Sequence, residues 1–214
     1  RSTGGNYEPS GNWETSFRWL SAAWPCGLYI SDPDAWTGIY CEDTVRYEPL
    51  GNVIRINLNK NKLSGTLPTE VGYFSRLESG FMFSENTLTS TLPSQLGFFT
   101  NLTGSLDVSY NKVIGTIPTE IGFLTRFTGK VNFEANSFTG TIPSELGKLT
   151  ALGSGLVLAD NRLTGPIPTQ IGRFSYFLSD LELQSNKLEG DLPTEIGRLS
   201  LITTTFNLES NFFG

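Results

Sequence analysis

The sequence predicts an α/β solenoid, a spiral of stacked coils headed by a small N-terminal cap, and three observations predict it. Asn61, Asn86, Asn111, Asn136, Asn161, Asn186 and Asn211 stand 25 residues apart, and a fixed period of this size marks a repeat architecture. The residues before each asparagine alternate apolar with polar, as in LDVSY and LELQS, the period-2 pattern of a half-buried strand. Beyond the asparagine most coils meet glycine and then proline, which end regular structure and turn the chain.

The first element is the cap, residues 1–52. It holds all four tryptophans, Trp13, Trp19, Trp24 and Trp36, and both cysteines, Cys26 and Cys41. Large aromatic area suits the shielding of an open solenoid end from water. Two cysteines confined to so small a segment are expected to form a disulfide rather than two buried thiols. The loop they close, about 15 residues, is worth on the order of 3 kcal/mol, and the bond implies an oxidising compartment. No basic stretch followed by an apolar run reads as a signal peptide, so an export signal is expected outside this sequence.

The repeats follow over residues 53–214, about seven coils. Each reads close to LxLxxNxLxGxIPxxIGxLxxL and cannot bury its apolar side without neighbours. Leu181, Leu183 and Leu188 are expected to point inward, and Glu182 and Gln184 outward. The asparagine column is expected to be structural, each side-chain amide bonded to backbone at the turn, since buried polar groups must be paired. A second column, Thr69, Ser94, Thr119, Ser144, Thr169 and Thr194, precedes Glu70, Gln95, Glu120, Glu145, Gln170 and Glu195. Hydroxyl then acid is how a short helical turn begins, so the hydroxyls are expected to cap free N–H groups. The sequence stops at Phe212, Phe213 and Gly214 with no evident polar closing cap, and the protein is expected to continue or to dimerise there.

Charge and composition narrow the function. Fifteen basic against twenty-one acidic residues give a formal charge of −6, which repels phosphate backbones and excludes nucleic acid as a partner. Histidine is absent, removing the commonest general base and metal ligand. No catalytic residue, metal site or cofactor is expected, and no apolar run reaches the roughly 20 residues of a membrane span.

These residues resemble a known family. The LxGxIPxxIGxL signature over 53–214 is similar to the plant-type leucine-rich repeats of receptor-like kinases and receptor-like proteins. GTIPTEIGFLT at 115–125 and GTIPSELGKLT at 140–150 are closer still to the leucine-rich-repeat surface proteins of diatoms. NW at 12–13, WLS at 19–21 and WTGIYC at 36–41 look like that family's cap, and the resemblance implies that this chain is expected to begin inside it. The usual period there is 24, so one extra residue is expected at the turn entering each strand, as a bulge.

The resemblance implies a right-handed superhelix with a parallel β-sheet on its concave face, which serves recognition. The candidate contact residues there are Arg55, Asn57, Lys60, Met82, Glu85 and Asp107, then Tyr110, Lys130, Asn132, Asp160, Asp180 and Glu182. Cations sit toward the first half and acids (with Glu209) crowd the second, a gradient that would orient a ligand. The expected function is an extracellular module, secreted or on the outer face of the plasma membrane. It binds a peptide, glycan or protein partner, with a co-receptor as a further partner and any membrane attachment outside this chain. Asn101 begins the sole N-glycosylation triplet.

Two other functions compete. The column Thr66, Thr91, Thr116 and Thr141 suggests an ice- or mineral-binding surface, although it breaks at Pro166 and Asp191. Paired carboxylates such as Asp180 and Glu182 suggest hydrolysis without histidine, for which their placement on one strand is otherwise ordinary.

Overall fold

The computed structural model describes residues 39–41 and 52–214. Its inner sheet has eight strands in chain order: β1 Ile39–Cys41, β2 Val53–Asn57, β3 Gly80–Met82, β4 Ser105–Asp107, β5 Val131–Asn132, β6 Gly155–Val157, β7 Asp180–Glu182 and β8 Phe206–Asn207. β1 runs antiparallel to β2 with an irregularity between Tyr40 and Cys41. All later pairs are parallel, and Ile56, Phe81, Leu106, Val131, Leu156, Leu181 and Phe206 lie side by side.

Each coil leaves the sheet at its asparagine. The amide Nδ2 of Asn161 lies within reach of the carbonyls of Phe133, Leu158 and Ala159 (2.9–3.2 Å), while its Oδ1 accepts from the Phe138 amide at 3.0 Å. Asn86, Asn111, Asn136, Asn186 and Asn211 repeat this pattern. A planar amide has both donors and an acceptor, so one side chain joins its own turn to the coil before it.

The return path crosses the outer side as a single 3₁₀ turn, for example Thr119–Phe123. Its amides are bonded in sequence, Ile121 to Pro118 and Leu124 to Ile121. The hydroxyls do not cap these turns: a proline fills every N-cap position and no side-chain cap bond forms. Thr119 instead donates to Glu120, as Thr169 does to Gln170. The partner need only accept a hydrogen bond, which is why glutamine serves as well as glutamate.

Where the chain re-enters the sheet, the amides of Glu78 and Ser79 both donate to the Ile54 carbonyl, and those of Thr103 and Gly104 both donate to Glu78. Two donors on one acceptor accommodate an extra residue, as in a β-bulge. The close approach requires glycine at 104, where a Cβ would lie 1.9 Å from the Ser79 carbonyl oxygen.

The core is one continuous stack. Phe81, Phe83, Phe99, Phe127, Phe133 and Phe138 are among its largest fully buried side chains. Phe81 packs on Phe83 and Phe99 with ring centroids 4.5 and 5.2 Å apart, within the range of favourable aromatic pairs. The tryptophans and Cys26 lie outside the described residues, as does nearly all of the expected cap. Cys41 ends β1, partly buried and packed against the core.

Candidate functional site

On the inner sheet the side chains between the buried positions form parallel columns. The central one, Asn57, Met82, Asp107, Asn132, Val157, Glu182 and Asn207, is largely committed to the fold. Asn57, Asp107, Asn132 and Asn207 each accept from the backbone amide two residues on, at 2.9–3.4 Å. Val157 is 1% exposed, and its neighbour Ala159 is fully buried. The S-methyl carbon of Met82 lies 3.1 Å from where a Cβ on Gly80 would stand, so the thioether folds over that glycine. A substitution at Gly80 would displace it.

The accessible column lies one step further, at the exit edge of the strands. Lys60, Glu85, Tyr110, Ala135, Asp160, Ser185 and Ser210 all adopt a left-handed backbone, φ 52–58°. This conformation is uncommon for residues with a Cβ. Lys60, Glu85, Tyr110 and Asp160 are exposed there, Tyr110 by half. The sequence already puts Lys60, Glu85, Tyr110 and Asp160 of this edge among the candidate contacts, but does not mark the left-handed backbone they share. Its signal is the position just before each asparagine, where the residue type changes freely.

The expected charge gradient is partly cancelled within the sheet. Lys60 pairs with Glu85 at 3.0 Å, and Lys130 with Asp180 at 3.2 Å. The second pair joins residues 50 apart in sequence, reaching across β6 because Gly155 offers no side chain between them. Arg55 stacks over the Tyr40 ring, 5.4 Å from its centroid. Asp107, Glu134, Asp160, Glu182 and Glu209 have no cationic partner among the described residues, and they leave the face net negative.

Two groups are shifted by these contacts. The Tyr110 hydroxyl donates to Glu134 at 2.8 Å. That bond, then burial and the charges of Glu134, Asp160 and Glu85, raise its pKa above the ordinary tyrosine value. The hydroxyl of Thr204, 2.7 Å from Asp180, and secondly Lys130 hold the Asp180 carboxyl below its usual range, against the opposing effect of burial. A depressed carboxylate stabilises the fold above its unfolded pKa, and the contribution is lost as pH falls through the folded value.

Asp180 and Glu182, considered for hydrolysis, are each held by other groups: Asp180 by Thr204 and Lys130, Glu182 by the Gln184 amide at 3.3 Å. A shallow hollow of about 490 Å³ opens on another side, beside Thr116, Thr141, Pro143 and Pro168, and Glu145 is the one acid lining it. No group of three or more potential metal ligands occurs among the described residues. No helix among them is long and apolar enough to cross a membrane. The Asn101 side chain is engaged, donating to the Ser75 carbonyl and accepting from Arg126, both at 3.1 Å.

No protein-family model matches the chain, and no curated protein matches it. Solved structures do. The crystal structure of PEPR1–AtPEP1 is 31% identical with a TM-score of 0.73, covering 91% of this chain and 24% of that one. The LRR ectodomain of the plant membrane receptor kinase GASSHO1/SCHENGEN3 from Arabidopsis thaliana, in complex with CASPARIAN STRIP INTEGRITY FACTOR 2, is 28% identical (TM-score 0.66; 84% and 26% covered). The plant peptide hormone receptor RGFR1 in complex with RGF2 is 28% identical (TM-score 0.62; 76% and 29% covered). The chain thus has the leucine-rich-repeat fold in the form seen in plant receptor ectodomains. It spans about a quarter of the length of these relatives.

Proposed function

We propose that this chain is an extracellular recognition module that receives an extended, basic peptide along its inner sheet. The observation that carries the reading is the coincidence of exposure and charge at the exit edge. Tyr110 and Asp160 are exposed there beside Glu134, and neither acid is matched by a cation among the described residues. A tyrosine offers a rigid amphipathic anchor, while unneutralised carboxylates favour a ligand with lysine or arginine and steer its approach. RGFR1, a peptide hormone receptor solved with RGF2, lends support through its similar coils. The reading places the chain outside the cell, secreted or on the outer membrane face, with a co-receptor as a second partner. It includes a Cys26–Cys41 disulfide in the cap and a glycan on Asn101.

The test is a binding screen of extracellular peptides, followed by calorimetry on the best basic ligand. Tyr110→Ala and Asp160→Ala should each weaken binding about tenfold or more, near 1.4 kcal/mol. The wild-type affinity should fall with added salt. Unchanged affinity in both variants would remove the inner edge as the contact surface.

A further inference from the structure

Beyond each asparagine turn the coils form a second parallel ladder on the flank of the solenoid, and its register differs from that of the inner sheet. Inner-sheet partners lie 25 residues apart, but here Ser64 pairs with Thr87, Ile114 with Ser137 and Thr141 with Thr164, each 23 apart. Backbone bonds continue the ladder between these pairs: Thr89 to Gly65, Lys112 to Leu88, Thr139 to Gly115, Arg162 to Phe138 and Lys187 to Leu163, at 2.8–2.9 Å.

The two-residue offset brings together threonines that the sequence separates. The column Thr66, Thr91, Thr116 and Thr141 comes to lie beside a second one formed by Thr89, Ile114, Thr139 and Thr164. All but Thr66 are exposed. The first column is locked in place. The methyls of Thr91, Thr116 and Thr141 lie 2.6–3.0 Å from where a Cβ would stand on Gly115, Gly140 and Gly165, so those glycines make room for them. Thr87 and Thr89 are tied by hydroxyl bonds to the carbonyls of Leu63 and Gly65, at 2.9 and 3.4 Å. Charged residues, Lys62, Lys112 and Arg162, stand along one border, and none interrupts the two columns before Glu189 and Asp191.

We infer that this flank binds ice. Neighbouring strands repeat every 4.8 Å or so and alternate residues along a strand about every 6.7 Å, spacings close to oxygen repeats of hexagonal ice. An ordered array of hydroxyls and methyls on that grid can hold a first layer of water in lattice positions, and each fixed water bridges protein to crystal at little further entropic cost. The two columns carry no charge of their own, as their occupant carries none, within a chain of charge −6; Lys187 pairs with Thr164 at one border and Glu145 lines the hollow beside Thr116 and Thr141. A charge there would keep its own hydration shell and break the lattice. This surface is separate from the inner face and does not depend on peptide binding.

The experiment is ice-recrystallisation inhibition and thermal hysteresis on the purified chain, with Thr139→Lys, Thr164→Lys and Tyr110→Ala. Neither Thr139 nor Thr164 fills a glycine gap, so both lysine variants should keep the wild-type circular dichroism and melting. The wild-type chain should slow the coarsening of ice grains at micromolar concentration. Each lysine variant should need about tenfold more protein or worse, since the ammonium holds its hydration shell, and Tyr110→Ala should match wild type. An inactive wild type, or lysine variants as active as wild type, would overturn the inference.

Discussion

At the scale of single residues, the asparagine column carries the most structural weight. Asn161 is buried and serves four backbone groups across adjacent coils. Leucine would fill similar volume but leave the Phe138 amide without its acceptor, at about 1–3 kcal/mol, while the carbonyls of Phe133, Leu158 and Ala159 keep donors in Asn136, Asn186 and Ala135. We expect Asn161→Leu to lower the unfolding free energy by about 1–3 kcal/mol in urea titration, as the buried Phe138 amide loses its partner and three carbonyls each lose one of two donors. Asn211→Leu, in the half-exposed last coil, should cost less than half as much, because water replaces the lost partners. Equal costs would mean that burial does not govern the column. The columns on the inner face show the opposite division of labour. Asn57, Asp107 and Asn132 are recognition candidates by position but bond their own backbone, whereas Tyr110 and Asp160 are exposed, with the Tyr110 hydroxyl bonded to the Glu134 side chain.

At the scale of one element, the glycine of each outer turn sets how closely coils approach. A Cβ on Gly147 would lie 2.5 Å from both the carbonyl oxygen and the Cβ of Gln170, while one on Gly197 meets nothing within 4 Å. The same motif therefore predicts different costs. Gly147→Ala should destabilise by about 1–3 kcal/mol through overpacking. Gly197→Ala should be neutral or slightly stabilising, since alanine loses less backbone entropy. Thermal melts of the pair decide it, and a cost for Gly197→Ala comparable to that of Gly147→Ala would refute the packing account. The outer turns also carry a feature that emerges only when they are stacked. The position after that glycine reads Tyr73, Phe98 and Phe123, all exposed, then Lys148, Arg173 and Arg198. Lys148 reaches back over the Phe123 ring, 5.9 Å from its centroid.

For the whole molecule, stability should vary along the stack, because each coil is sealed by its neighbours. Leu156, Leu158, Leu181 and Leu183 are fully buried, but Phe206 and Phe212 in the last coil are 44% and 67% exposed. Hydrogen exchange should accordingly be slowest for amides of the inner strands between residues 81 and 183. It should be fastest beyond residue 199, where local opening exposes little new apolar surface. Uniform protection to the end of the chain would contradict this gradient.

What the sequence determined by itself is the coil: its period-2 strand, its asparagine turn, its proline-led return and the need for stacked copies. Those follow from local patterning and from the rule that buried apolar and polar groups must be matched, both of which act within one repeat and its neighbour. Only the tertiary structure decided what each surface presents. The offset between a 25-residue register inside and a 23-residue register on the flank aligns Thr141 with Thr164, and the missing side chain at Gly155 lets Lys130 reach Asp180. The left-handed backbone at Tyr110 and Asp160 lifts the edge column clear of the sheet. None of these can be read from spacing alone, because they depend on how successive coils are set against one another in space, which packing of the shared core fixes.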